Sequence, residues 1–296
     1  MSNSDELLGI LNIHKPPGMT SREVVNLVQR RARRAKVGHA GTLDPLATGV
    51  LLVCVGKATR LIDYLQRPQK TYRASFLLGC RSDTEDVEGN VETLSTARIP
   101  QRQEIIDTLP KFVGRIQQRP PRFSALKVQG QRAYRMARRG LEFDLAEREV
   151  EIHALRLIEY SYPRLDLEIE CGSGTYVRSL GRDLAIELGS EAVMAELVRT
   201  AIGPFSISGS LPVEQIREQE IRPLLLDSLL AVGGLASRVL LPEEVDRFAC
   251  GLTLPTPETP IGTEWSVIDP HGRFVGIAIQ ISPCEIRALV NFIARN

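Results

Sequence analysis

The chain has 296 residues, 43% of them hydrophobic and 25% charged, enough for one large domain or two unequal ones with a full buried core. Its formal net charge of +1 excludes a global field that would draw an acidic partner, so any such attraction has to come from local clustering. The five cysteines, Cys54, Cys80, Cys171, Cys250 and Cys284, are odd in number, widely spaced and without a C-x-x-C pair, which speaks against a disulfide framework and for reduced thiols in a cytosolic setting.

Met1 to Glu6 lacks the basic and apolar regions of a secretion signal, and no apolar run approaches a membrane span, so a cytoplasmic location without membrane contact is expected. Gly9 to His14 reads as a short strand closed by the turn Lys15-Pro16-Pro17-Gly18. Thr20 followed by Glu23 is a capping box, and Val24, Val25, Leu27 and Val28 give the apolar stripe of a helix. That helix runs into Arg30 to Lys36, five positive charges without an acid, either a solvated helix end or a phosphate contact. Next comes the glycine-rich stretch Gly38-His39-Ala40-Gly41-Thr42-Leu43-Asp44-Pro45-Leu46-Ala47-Thr48-Gly49, leading into an apolar strand over Val50–Val55. Pro45 stiffens the chain after Asp44 and biases Asp44 towards an extended shape. The carboxylate is either a turn acceptor or a chemical centre held on a loop.

A helix is expected from about Lys57, then a strand over Thr71–Gly79 whose alternation places Tyr72, Ala74, Phe76 and Leu78 on one face. Asp83, Glu85, Asp86 and Glu88 crowd the following loop; they lack the spacing of a calcium loop and read as a solvated turn. A helix from Pro100 carries Ile105, Ile106 and Leu109. From Arg119 to Arg148 eight basic residues (Arg119, Arg122, Lys127, Arg132, Arg135, Arg138, Arg139, Arg148) face three acids (Glu142, Asp144, Glu147). Helical spacing would put Arg132, Arg135 and Arg139 on one face, with Gly140 as the stop. With Phe123 and Tyr134 nearby, this is the composition of a nucleic-acid surface. Glu149–Tyr160 and Arg164–Cys171 predict a hairpin turning at Tyr162-Pro163. Gly172 to Gly181 is a second glycine-rich strand-to-helix junction, with the helix stopping at Gly189, and a polar helix is expected near Pro212–Glu220. Beyond about Leu230, Gly233-Gly234 reads as a linker, and the hairpin around Asp269-Pro270-His271-Gly272 marks a small β-rich domain.

Familiar cofactor motifs fail. A P-loop would need glycine at Leu51 and Ser or Thr at Ala58, and a dinucleotide fingerprint would need a small residue at Val177. The four histidines are scattered, so neither a metal nor another cofactor is expected. What the residues alone leave is a loop-borne acid, an arginine on a second glycine-rich turn, aromatic residues at strand and helix starts, and basic surfaces. An arginine beside the acid would hold its pKa low, and an extruded base would need Tyr72 and Tyr176 to stack on.

Gly38 to Gly49 closely resembles the catalytic motif of TruB-type tRNA pseudouridine synthases. Lys15 to Ser21, Lys70-Thr71-Tyr72-Arg73, Ser124-Ala125-Leu126-Lys127 with Gly130 to Gly140, Gly174-Thr175-Tyr176-Val177-Arg178 and Leu197-Val198-Arg199 are similar to the family's other motifs, in family order. The resemblance implies an α+β fold: a mixed, largely antiparallel sheet flanked by helices over residues 1–230, with an RNA-gripping insertion at about 119–148, and a PUA-like domain over 231–296. It implies that Asp44 is the nucleophile acting on a flipped uridine, uridine 55 of the tRNA T loop. It further implies that Tyr72 stacks on the base, that Arg178 orients Asp44, and that His39 helps displace the base. Tyr176 and Leu197 would line the uracil pocket, and Arg60 would lie near phosphate. Lys15 and Pro16 would support the site from below. No cofactor, no obligatory protein partner and a monomeric state are expected. The guide-RNA-dependent dyskerin type shares the catalytic motif, and a tRNA-folding chaperone is the reading from another class.

Overall fold

The computed structural model describes residues 7–124, 126–128 and 130–293. The expectation on Met1–Glu6, and Ala125 of the Ser124–Lys127 motif, fall outside them. The first half of the chain forms β1 (Gly9–Lys15), α1 (Ser21–Arg31), β2 (Val37–His39), β3 (Thr48–Val55), α2 (Ile62–Gln66), β4 (Lys70–Leu78), β5 (Cys80–Arg81), β6 (Glu92–Thr93), α3 (Arg102–Thr108) and β7 (Gly114–Gln118). Then follow β8 (Lys127–Val128), β9 (Gln131–Arg132), α4 (Ala133–Arg138), β10 (Arg148–Ser161), β11 (Arg164–Cys171), α5 (Val177–Glu187), β12 (Ala192–Ile202), β13 (Phe205–Ser206), β14 (Leu211–Pro212) and α6 (Val213–Glu218). The tail adds β15 (Ala236–Val239), α7 (Pro242–Ala249), β16 (Leu254–Pro255), β17 (Glu264–Ile268), β18 (Phe274–Ser282) and β19 (Glu285–Asn291).

One ten-stranded sheet runs in the order β14-β1-β3-β12-β4-β11-β10-β7, with β2 on β3 and β13 on β12. Only the β1–β14 and β3–β12 pairs are parallel, so the sheet is mixed and largely antiparallel, as expected. β3 is apolar on both faces because both are covered. Leu51, Val53 and Val55 pack with Val24, Val25 and Val28 of α1, while Val50, Leu52 and Cys54 face Leu61, Tyr64 and Leu65. The capping box of α1 forms: Thr20 Oγ1 accepts from the Glu23 amide at 3.1 Å and Glu23 accepts from the Thr20 amide at 2.7 Å. Tyr72, Ala74, Phe76 and Leu78 enter one core with Leu180 and Leu184 of α5. Gly181 of that helix lies so close to the Phe76 ring that a Cβ there would overlap it.

Three expectations shift. The helix from Lys57 opens as a 3-10 segment, Gly56–Leu61. Arg132 belongs to β9 and Arg139 follows α4, so the three-arginine helix face does not form; a helix of six residues is too short for an i to i+7 pattern. Leu197 and Arg199 stand on an eleven-residue strand, β12, for which the sequence carried no clear boundary. The tail forms its own five-stranded sheet in the order β15-β17-β18-β19-β16, β-rich as expected. Its Phe274, Ile277, Val290 and Phe292 join the cluster of Leu61, Tyr64 and Leu65, so the two sheets share apolar contact. No helix of the described residues is long and apolar enough to cross a membrane.

Candidate active site

The loop that carries Asp44 is clamped from beneath by the turn before α1. Ser21 Oγ donates to the Leu43 carbonyl at 3.0 Å and accepts from its amide at 2.8 Å. The Gly18 amide donates to the Pro45 carbonyl at 2.9 Å. Lys15, fully buried, spreads its ammonium over the carbonyls of Met19 (2.6 Å), Pro16 (2.9 Å) and Pro45 (3.1 Å). Burial pulls its pKa down to about 8, with Asp44 acting in the opposite direction. Two segments distant in sequence thus fix the backbone on both sides of the acid. Gly49 has φ 96 and lies against the Arg199 backbone, where a Cβ would overlap. Its missing side chain lets β3 approach β12.

Arg178, on the first turn of α5 and only 6% exposed, brings the acids together. Its Nη2 stands 3.0 Å from Asp44 Oδ2 and its Nη1 3.2 Å from Asp86 Oδ2. The same guanidinium donates to the carbonyls of Thr84 at 2.8 Å and Phe123 at 3.0 Å. One turn on, Arg182 pairs with Glu85, which also accepts from Ser179 at 3.1 Å. The acidic loop is a solvated turn only in part: Asp83 and Glu88 are exposed, whereas Glu85 pairs with Arg182 and Asp86, 3% exposed, is locked to Arg178. Its charge density was visible in the sequence, but not the two arginines that α5 sets beneath it.

The pKa expected for Asp44 also reverses. Burial is the largest influence and raises it above the ordinary carboxylate value, repulsion from Asp86 adds to the rise, and Arg178 and Lys15 only oppose it. The side chain is 37% exposed, but this opening faces cavities within the protein, so desolvation outweighs the single arginine it shares.

Two cavities meet at Asp44. The first, about 320 Å³, is lined by Tyr72, Leu197, Arg199, Tyr176 and Lys70 among others. The second, about 760 Å³, is lined by His39, Arg22, Phe123 and the α4 side chains Tyr134, Arg135 and Arg138. Asp44, Thr42, Leu43, Ser124 and Arg178 border both. Tyr176 caps α5; its amide and carbonyl are held by Gln118 at 2.8 and 3.0 Å, and the Arg148 guanidinium lies 4.5 Å from its ring centroid. Tyr72 is buried, which raises its pKa against the pull of Arg199. Burial lowers that of His39, helped by Arg22 and Arg199. Residues of these walls also hold buried polar atoms without a protein partner: His39 Nδ1, Ser124 Oγ and Arg148 Nε.

Of the residues singled out from sequence, Asp44, Tyr72, Tyr176, Arg178 and Leu197 converge on the first cavity and His39 on the second. Arg60 is not brought there. It donates to the carbonyls of Asn291 at 3.1 Å and Leu289 at 3.4 Å, tying the 3-10 segment to β19. Sequence reasoning missed Asp86, Lys70 and Arg199 as site residues. Arg199 stood in a quoted motif, but nothing local marked it as buried.

A mixed sheet with a loop carboxylate paired to a helix arginine, beside a basic insertion and a small β domain, is the fold of pseudouridine synthases. It superposes on a chain of the Cbf5–Nop10–Gar1 complex with a TM-score of 0.74, at 24% identity, covering 97% of this chain and 85% of that one. An H/ACA RNP bound to a substrate RNA containing 2′-deoxyuridine gives the same score at 22% identity, covering 100% and 92%. The sequence model of the TruB family pseudouridylate synthase N-terminal domain matches residues 29–177. The tRNA pseudouridine synthases B of Synechococcus elongatus and Dehalococcoides mccartyi are each 40% identical, over 95% and 91% of this chain and 98% and 91% of theirs. That of Clostridium acetobutylicum is 43% identical over 72% of this chain and 73% of its own. The chain belongs to the TruB family of pseudouridylate synthases.

Proposed function

We propose that the protein converts a uridine of tRNA, uridine 55 of the T loop, to pseudouridine, acting in the cytoplasm as a monomer without an obligatory protein partner. The observation that carries the reading is the Asp44–Arg178 pair at the wall of a cavity lined by Tyr72, Tyr176 and Leu197. Asp44 is the nucleophile. Arg178 holds its carboxylate, Tyr72 stacks on the flipped base, and Tyr176 and Leu197 close the uracil pocket. His39, in the larger cavity, fits the place vacated by the base in the RNA loop. Uracil is neutral, so its recognition rests on stacking and hydrogen bonds, while affinity comes from phosphate contacts. Arg135 and Arg138, on the larger cavity and without a carboxylate in ion-pair reach among the described residues, suit those contacts. Near-full coverage of relatives named tRNA pseudouridine synthase B supports tRNA as the substrate.

Tritium release from tRNA carrying 5-tritiated uridine tests the proposal. Wild type should release tritium from bare tRNA, and Asp44→Ala should bind the same tRNA and release none. An active Asp44→Ala would remove the nucleophile from Asp44. Activity that appears only with a guide RNA would transfer the protein to the dyskerin-type reading, and tRNA binding and refolding without any conversion would make it a chaperone.

A further inference from the structure

The chemistry assigned to Asp44 produces a charge that Asp44 and Arg178 do not neutralise. If Asp44 bonds to C1′, the C1′–N1 bond breaks and its electron pair stays with the base, leaving an anion spread over N1, O2 and O4. If Asp44 adds to C6 instead, the C5–C6 pair moves onto C5 and O4. On either route uracil is neutral when bound and when rejoined, and negative between. A positive group that meets it there acts on the intermediate and its transition states more than on the bound substrate.

The sheet face behind the base has such groups in surplus. Lys70 and Tyr72 of β4 stand beside Leu197 and Arg199 of β12, with Tyr72 and Arg199 directly paired in register. Four cations, Lys70, Arg148, Arg178 and Arg199, line the first cavity with Asp44 as its one carboxylate among the described residues. Arg178 is taken by Asp44 and Asp86. Arg199 is 2% exposed and rests its Nε on the Val50 carbonyl at 2.7 Å and its Nη2 on the Gly41 carbonyl at 3.2 Å. Lys70, also buried, is held by Ser173 Oγ at 2.6 Å and by the Gln66 carbonyl. Neither has a carboxylate within ion-pair distance among the described residues. Buried cations without counter-ions are costly to keep, and these two repel: burial and then Arg199 pull the Lys70 pKa down to about 8. A neutral ring draws no charge–charge attraction from that arrangement, whereas a ring that becomes an anion does.

Resting on the reading of the site given above, we propose that Arg199, assisted by Lys70, is the counter-charge for the uracil anion formed while Asp44 holds the sugar or the base. Carbonyls supply the hydrogen bonds that keep the guanidinium in place without cancelling its charge.

The test compares single-turnover conversion of two T stem-loop RNAs, one with uridine and one with 5-fluorouridine at the target position. Fluorine at C5 makes the base a stronger acid, so it needs less help as an anion. Loss of the N-linked nucleoside is read in a nuclease digest, and RNA binding is measured in parallel. Arg199→Gln should bind RNA within about twofold of wild type and convert uridine about 100-fold more slowly, the size of the effect of removing one oxyanion donor. On 5-fluorouridine the loss should shrink by about tenfold or more, and Arg199→Lys should recover part of the rate on uridine. An unchanged rate, or an equal loss on both RNAs, overturns the inference. Should Arg199→Gln fail to fold, Lys70→Gln carries the same comparison, with the same substrate dependence expected and equal losses on both RNAs overturning it. A wild-type protein that converts no uridine would overturn the reading of the site itself and this inference with it; an active wild type with substrate-independent losses overturns this inference alone.

Discussion

Asp44 is a costly residue to keep. Its pKa is raised in the folded chain, chiefly by burial, so the folded state shifts it towards the protonated acid, whereas the nucleophile proposed above has to be ionised. Activity should therefore fall on the acid side at a pH above the ordinary carboxylate value, read in the kcat/KM profile. The stability consequence has a definite sign. A raised folded pKa gives stability that is present in acid and lost as pH rises through that pKa. Asp44→Asn should accordingly melt higher than wild type at neutral pH, and the difference should vanish in acid; a neutral-pH melting point below wild type would count against burial as the dominant influence. Asp86 belongs to the same balance. Arg178 is shared between two carboxylates and two carbonyls, so Asp86→Asn leaves it one acid and a looser hold. The expected result is a fall in kcat of about tenfold to 100-fold with tRNA binding nearly unchanged, as when a reacting group is slightly misplaced. A change confined to KM would instead place Asp86 in RNA binding.

At the level of elements, the strongest local signals were the most faithful. The capping box before α1, the alternation of β4 and the hairpin of β10 and β11 were readable because each depends on residues within a few positions of one another. What was not readable depends on distant partners. β12 lies between β3 and β4; it opens with three successive buried residues, Ala192 to Met194, and two register shifts interrupt it, so its alternation is broken. Two of the acids in the loop of Asp83 to Glu88, Glu85 and Asp86, pair with Arg182 and Arg178, nearly a hundred positions away in the chain. Of the residues named through family resemblance, Asp44, Tyr72, Tyr176, Arg178, Leu197 and His39 border the two cavities and Arg60 does not; the electrostatics there, including the rise at Asp44 and the uncompensated Arg199, were not legible. Two elements give direct tests. Gly181→Ala puts a methyl group into the Phe76 ring, and overpacking of this kind costs about 1–3 kcal/mol; denaturant unfolding should show it, and an unaffected midpoint would mean that α5 shifts freely on β4. Arg135→Ala with Arg138→Ala removes two charges from the wall of the larger cavity. tRNA binding should weaken, and the slope of log K against log salt should become shallower by about 0.7–0.9 for each phosphate no longer neutralised; an unchanged slope would take α4 off the RNA.

Across the whole molecule, the two sheets are joined where the catalytic strands are linked. The segment between β3 and β4 carries Arg60, Tyr64 and Arg67. Tyr64 donates to Glu264 at 2.7 Å, Arg67 pairs with the same carboxylate at 2.7 Å, and Arg60 reaches β19. Apolar contact lies beneath these bonds, so the exposed ion pair contributes little on its own and the C-terminal domain is held mainly by packing.

The place of β12 in the main sheet has a consequence for how the protein is made. The strands that flank the site are complete by Leu78, yet they do not touch each other: β12, which ends only at Ile202, is the layer between them. A growing chain must carry the open edges of β3 and β4 through the synthesis of more than a hundred further residues before they are sealed. Such edges are the exposed strands that aggregate in partly made chains, and joining strands so far apart in sequence is slow. A chain released at residue 190 should be insoluble or chaperone-bound although it already holds Asp44, Tyr72 and Arg178, whereas the full chain should be recovered in solution. Recovery of soluble 1–190 fragment with wild-type strand content would show that the edges protect themselves. The site is thus coupled to completion of the sheet: until β12 arrives, the cavity beside Asp44 lacks the wall that Leu197 and Arg199 supply.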